Sequence, residues 1–341
     1  MTSQRIALWD NARFLAIVLV VLGHGLTKMV PQTPEAFVLY VSIYLFHIPL
    51  FVFLSGYFAK ADAPTLERIR GVMVDLLLPY VLLEIIWSAI HSVQAGEFLF
   101  NPLRPSWTLW FLLSLASWRI LLPYLVQVPA PLLVSVVIAA LSGYWSVDQT
   151  LSISRTLAFL PFFVLGWRVK HTAIADKWLS LPSGRVWSIR VLALAVFAGV
   201  ISVVSVFQPL WREIGLRTFL TADKGYLEVG LDQWWAGGVR LGLFTLALLL
   251  VAAFLVLVPR RELWITALGS GTMTVYVLHS FILAPLRETG VLAGQVSVIE
   301  LVLVVIGSVV LSMVLAHPIT TRLFAPLTKP TWLLGSQQKS T

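Results

Sequence analysis

An all-α, polytopic membrane bundle of about ten transmembrane helices is the fold class this sequence predicts, and three observations predict it. Hydrophobic residues make up 58% of the chain and charged residues only 12%, with a mean hydropathy of +0.88. A water-soluble domain carries about twice that charge. The apolar residues collect into runs of about 20, the length a helix needs to cross a bilayer. Lysine and arginine fall in the short segments between those runs, as orientation signals do. The net charge of +8 therefore points to the membrane surface and not to a nucleic-acid partner. The absence of cysteine excludes disulfides, thiolate metal sites and a cysteine acyl-enzyme, and no metal is expected.

The first span covers 12–30 and opens on Asp10 and Arg13, with His24 inside it. Polar residues at its mouth, and no small-residue cleavage site behind it, distinguish it from a secretory leader. The second, 36–58, contains Pro49, Ser55 and Gly56, which predict a kink or a close helix contact. The third is 72–93. The fourth and fifth, 107–125 and 130–147, are interrupted by Arg119, Pro123, Pro129 and Pro131. Spans follow at 151–168, 187–207, 234–258, 263–286 and 295–316, and two connections are long. One, 169–186, is basic. The other, 208–233, carries Trp211, Arg212, Glu213, Asp223, Lys224, Glu228 and Asp232. A membrane domain over 1–320 and a short tail over 321–341 complete the division, with no repeat and no separate soluble domain.

Orientation follows from the basic residues. With the N-terminus inside, the cytoplasmic segments hold Arg5, Lys60, Arg68, Arg70, Arg168, Lys170, Arg185, Arg190, Arg260, Arg261 and Lys339, among others. The outer ones hold Lys28, Arg104, Arg212, Arg217, Lys224 and Arg287. Both termini are thus expected in the cytoplasm. Trp9, Trp107, Trp145, Trp167, Trp187, Trp211, Trp234, Trp235 and Trp264 fall near span ends, where an amphipathic ring belongs.

The chemistry is expected around the first span. Arg13 and His24 are eleven residues apart, about three helical turns, so they share one face with ~16 Å of rise between them. Asp10 lies one turn before Arg13 and suits a salt bridge to it. Ionisable groups at such depth are costly and are functional candidates. Counted from the cytoplasmic edge, His47 of the second span lies at about the depth of His24. It is a substrate-facing residue or one that only hydrogen-bonds between helices. Arg68 and Arg70 are orientation anchors or a grip for a phosphorylated donor. Arg155 and His279 fall toward the outer half and are candidates to face an acceptor. The Gly-Ser-Gly at 269–271 is better explained by helix packing than by phosphate binding.

The Arg13–His24 spacing, with FHIPLFVFLSGY at 46–57, WTLWFLLSLASWRIL at 107–121, ISRTLAFLPFFVLGW at 153–167 and VYVLHSFIL at 275–283, resembles the acyltransferase-3 family of integral-membrane acyltransferases. Within it the likeness is greatest to the fucose 4-O-acetylase-like group, over about residues 5 to 320. The resemblance implies transfer of an acetyl or other acyl group from cytoplasmic acetyl-coenzyme A to a hydroxyl of a cell-envelope carbohydrate or glycolipid, in a bacterial inner membrane. It maps the family's functional pair onto Arg13 and His24, and its basic cluster onto Arg68 and Arg70. The chain departs from the pattern at Val74 and Asp75, where relatives often carry a basic residue before the proline. Some relatives add an extracellular hydrolase-like domain, so either this chain completes the transfer or a separate extracytoplasmic partner does. His24 is the expected base, or transient acyl acceptor; Arg13 holds the donor, Asp10 orients Arg13, and His47 assists. Two rival readings remain at this stage. One is a secondary transporter or flippase for a lipid-linked sugar or small solute; the other is a scaffold subunit of an envelope-assembly complex.

Overall fold

The computed structural model of the protein describes residues 6–145, 149–231 and 233–334. Arg5, Asp232, Lys339 and the last residues of the tail lie outside this set. All elements among the described residues are helical. In chain order the ten apolar helices are α1 (Ala7–Leu26), α2 (Pro34–Tyr57), α3 (Leu66–Ala95), α4 (Trp110–Leu125), α5 (Pro131–Tyr144), α6 (Thr150–Lys170), α7 (Ser183–Val206), α8 (Ala236–Leu257), α9 (Trp264–Glu288) and α10 (Val298–Ala316).

Eight of these are long and apolar enough to cross a membrane; α4 and α5 are shorter. The 16 residues of α4 rise about 24 Å, less than the ~30 Å of a hydrocarbon core. The shortening follows from the prolines: Pro123 lies inside α4 and Pro131 occupies the first turn of α5. The count of about ten spans is thus eight long helices plus this pair.

The bundle is organised around α1. It packs against both parts of α9, against α10 and against the second half of α2. Its apolar window is 72% buried, against 11% for α7 and 17% for α10, so α7 and α10 form the periphery and present aliphatic side chains outward. Asn11 is fully buried beside Asp10 and fastens α1 to the α8–α9 connection. Its amide donates to the Pro259 and Arg261 carbonyls at 2.9 and 3.0 Å and accepts from the Thr266 hydroxyl at 2.7 Å. A Cβ at Gly269 would meet the Asp10 carbonyl at 2.5 Å, and one at Gly271 would strike the Ala316 carbonyl. These glycines therefore serve close helix packing.

Two helices break where proline removes a donor. In α2 the helix is interrupted at Leu45–Phe46 and restarts at His47, because Pro49 has no N–H for the carbonyl four residues back. In α3 a wide turn covers Met73–Leu77, and the Leu78 amide bonds five residues back to Met73. Pro79 leaves the Asp75 carbonyl without its usual donor, and the wider turn accommodates this. Beyond its break, α2 lies directly on α6. A Cβ at Gly56 would overlap the Phe163 carbonyl and one at Gly166 would overlap the Phe53 carbonyl, so each helix needs the other's glycine.

The connection between α7 and α8 folds back over the bundle. Arg212 donates to the Pro31 carbonyl at 3.1 Å, Ser154 to the Ala222 carbonyl at 2.9 Å, and the Tyr226 hydroxyl to the Ala140 carbonyl at 2.8 Å. Short helices Gln208–Glu213 and Leu216–Thr221 lie within it. Beyond α10, Pro318–Leu323 and Ala325–Thr328 are helical, and the latter packs on α3 and α9.

Candidate active site

A cavity of about 360 Å³ opens among α1, α2, α4, α6 and α9, roofed by the folded-back connection. His24 reaches it from the last turns of α1 and His47 from the restart of α2. Arg155 comes from the start of α6, and Arg217, Thr218, Thr221 and Asp223 come from the roof. Tyr40 and Tyr44, stacked at 3.8 Å between centroids, line one wall. Trp107, Trp110 and Tyr276 line another.

Three imidazoles gather here. The His24 ring lies 5.3 Å from that of His279 and 5.2 Å from Trp107, and the His47 ring lies 4.4 Å from Tyr44. In His47 and in His279, Nδ1 stands 2.9 Å from the carbonyl four residues earlier, Ile43 and Val275 respectively. A carbonyl only accepts, so Nδ1 carries the hydrogen in each and Nε2 holds the free lone pair. The His279 Nε2 and the His24 Nδ1 are buried without a hydrogen-bond partner among the described residues. Buried nitrogens left unpaired cost free energy unless a ligand completes them.

Arg155 is held in place by its surroundings. Its guanidinium pairs with Asp223 at 3.2 Å, donates to the Thr221 carbonyl at 3.3 Å and stands 4.9 Å from the Trp110 ring centroid. The backbone that aims these groups is strained. Trp107 has φ 38°, and Leu151 and Ser152, just before Arg155, have φ 51° and 55°, a region costing about 1–3 kcal/mol for such residues.

The other sequence candidates lie elsewhere. Arg13 and Asp10 are at the opposite end of α1, paired at 3.1 Å, with the Arg13 guanidinium 3.7 Å over the Phe58 ring; neither lines the cavity. Arg68 donates to the Asp62, Lys60 and Arg119 carbonyls and lines a separate cleft of about 240 Å³ with Arg119. Arg70 is exposed. The structure thus brings His24, His47, Arg155 and His279 together and leaves Asp10, Arg13, Arg68 and Arg70 outside that group. Three further ionisable groups of the spans, Glu84, Arg240 and Glu300, have structural partners. Glu84 accepts from the Ser106 amide and hydroxyl at 2.9 and 2.7 Å. Arg240 donates to the Ala139 carbonyl and the Ser142 hydroxyl, and Glu300 caps the start of α10 through Ser297.

Sequence reasoning missed Arg217, Asp223, Trp107 and the two tyrosines as lining residues. Tyr40 and Tyr44, four apart on one helix face, were the only local signal among them. Chemically, the cavity joins imidazole bases, a fixed guanidinium and aromatic walls. It has the parts that proton removal from a hydroxyl and charge stabilisation require.

No solved structure matches the chain. The nodulation protein NolL of Mesorhizobium japonicum (strain LMG 29417 / CECT 9101 / MAFF 303099) is 34% identical over 99 residues, 27% of this chain and 26% of that protein. NolL of Sinorhizobium fredii (strain NBRC 101917 / NGR234) is 29% identical over 198 residues, 50% of each chain. The matches therefore span about a quarter and about half the length of these curated relatives. The acyltransferase-domain profile of family 3 matches residues 6–317, and with nearly its whole length covered the chain belongs to the acyltransferase-3 family.

Proposed function

We propose that the protein transfers an acetyl group from cytoplasmic acetyl-coenzyme A to a hydroxyl of a cell-envelope carbohydrate or glycolipid, within a bacterial inner membrane. The carrying observation is the cavity itself: His24, His47 and Arg155 line it, and His279 stands against His24 with an unpartnered nitrogen. In this reading His24 takes the proton from the acceptor hydroxyl as its oxygen attacks the thioester carbonyl. The carbon–sulfur bond then breaks, and the proton passes to the departing thiolate. Arg155 supplies positive charge beside the acceptor. Arg13, about 16 Å along α1 from His24, is assigned to the donor's phosphates, with Asp10 orienting it. Arg68 and Arg70 supply further positive charge for the donor on the same side. A fucose-like acceptor fits the subgroup resemblance, and the aromatic walls suit a hexose. A separate extracytoplasmic partner is not required by this scheme.

The test is transfer of radiolabelled acetyl from acetyl-coenzyme A in membranes carrying wild type or His24→Ala at matched protein levels. Label in lipid or polysaccharide with wild type, lost in the variant, is the expected result. Equal label in both contradicts the reading.

A further inference from the structure

The charges at the mouth of the cavity select among acceptors. This step rests on the acyl-transfer reading for the word acceptor, though not for the binding it foresees. Arg155 and Arg217 line the cavity, and Arg287 stands beside its lining residue Trp107. Arg155 is already paired with Asp223 at 3.2 Å, and Asp223 is further engaged by the Thr221 hydroxyl at 2.5 Å and the Gln149 amide at 3.3 Å. Arg217 lines the cavity and stands 5.1 Å from the Tyr40 ring centroid. Arg287 stands 4.7 Å from the centroid of Trp107, itself a lining residue, and its Nε is buried without a partner.

Among the described residues neither Arg217 nor Arg287 forms an ion pair. Glu288, next to Arg287 in sequence, is exposed and acts on it electrostatically from solvent without an ion pair. Two guanidiniums thus hold no ion pair, and Asp223, the one carboxylate lining the cavity among the described residues, is already in use. Guanidinium groups held on aromatic faces lose little freedom when they grip an oxyanion, and two of them match a doubly charged group. Excess positive charge around a low-dielectric mouth also concentrates anions there.

We infer that the acceptor is a glycosyl phosphate, with its sugar against the Tyr40, Tyr44 and Trp107 rings and its phosphate between Arg217 and Arg287. The sugar hydroxyl then lies toward His24, deeper in the same cavity. The phosphate stays outside the reaction and fixes register.

The probes are fucose 1-phosphate, methyl fucoside, glucuronate and inorganic phosphate, each titrated calorimetrically into the purified full-length protein in nanodiscs. Fucose 1-phosphate is expected to bind about tenfold or more tighter than methyl fucoside, as one charge-assisted contact provides, and tighter than inorganic phosphate. The Arg217→Gln/Arg287→Gln double variant should lose that preference while still binding methyl fucoside, and the Arg217→Lys/Arg287→Lys pair should keep part of it. Methyl fucoside binding reports that the double variant is folded; if it is lost, the lysine pair decides. Several results overturn the inference: equal affinity for sugar and sugar phosphate, a preference that survives both substitutions or vanishes in the lysine pair, tighter binding of glucuronate, or inorganic phosphate binding as well as the sugar phosphate. Acetyl transfer without phosphate preference sinks this inference alone. Phosphate preference without transfer leaves it standing as a binding site and sinks the enzymatic reading.

Discussion

His24 and His279 meet edge to face, 5.3 Å between ring centroids with 62° between their planes, and each keeps one ring nitrogen buried and unpartnered. They stand 255 positions apart in sequence, on α1 and α9, helices that pack directly on one another. Two free nitrogens in one place are what a proton-transfer site needs before its ligand arrives.

His279→Gln is accordingly expected to lower acetyl transfer by about a hundredfold, the lower range of a lost acid–base group, at unchanged protein level in membranes. His47→Gln, whose ring is packed beside Tyr44, should cost less. The check is labelled transfer at matched expression. A His279→Gln variant as active as wild type removes that residue from the site.

The glycine contact between α2 and α6 joins the helices that carry His47 and Arg155. Gly56→Leu drives a side chain into the Phe163 carbonyl, and backbone cannot yield as a flexible side chain does. A loss of about 2–3 kcal/mol, seen as a lower melting temperature in detergent, is expected. Gly184→Ala, at a position with open space around its Cβ, should leave melting unchanged.

The roof over the cavity depends on Tyr226, which is 1% exposed, donates to the Ala140 carbonyl and lies against a site where a Cβ on Gly143 would clash. Burial pushes its hydroxyl up to about 12, opposed by the nearby Arg240 guanidinium. A folded pKa above the unfolded value of about 10 means that the contribution is complete below pH 10 and is lost as pH rises toward 12. Tyr226→Phe should cost about 1 kcal/mol near neutral pH and flatten the alkaline fall in stability. Melting curves at pH 8 and pH 11 for both proteins check this; parallel falls contradict it.

What the sequence disclosed follows from periodicity and from proline. The eleven-position spacing of Arg13 and His24 determines their shared face in any helix, and Pro49 foretold the break from which His47 projects. The kink and the close helix contact expected for α2 both occur, at Phe46 and at Gly56. What it concealed depends on distant contacts. Arg217 and Asp223 lie in a connection whose return over the bundle is held by bonds to Pro31, Ser154 and Ala140, and no local pattern announces such a path. Trp107 reads as an interfacial ring by its place at a span end. Its positive φ turns it instead into the cavity, a backbone conformation that composition does not show. Arg119 and the prolines interrupt the fourth and fifth apolar runs of the sequence, and these are the two short helices α4 and α5.

In the proposed function, labour is divided along α1, with chemistry at the His24 end and donor binding at the Arg13 end. The most direct measurement is steady-state kinetics of acetyl transfer with varied acetyl-coenzyme A for His24→Gln and Arg13→Gln in reconstituted membranes. The account predicts a kcat about a hundredfold or more lower for His24→Gln, with the donor KM little changed. For Arg13→Gln it predicts a donor KM raised about tenfold. A normal kcat in His24→Gln, or an unchanged donor KM and kcat in Arg13→Gln, would contradict it.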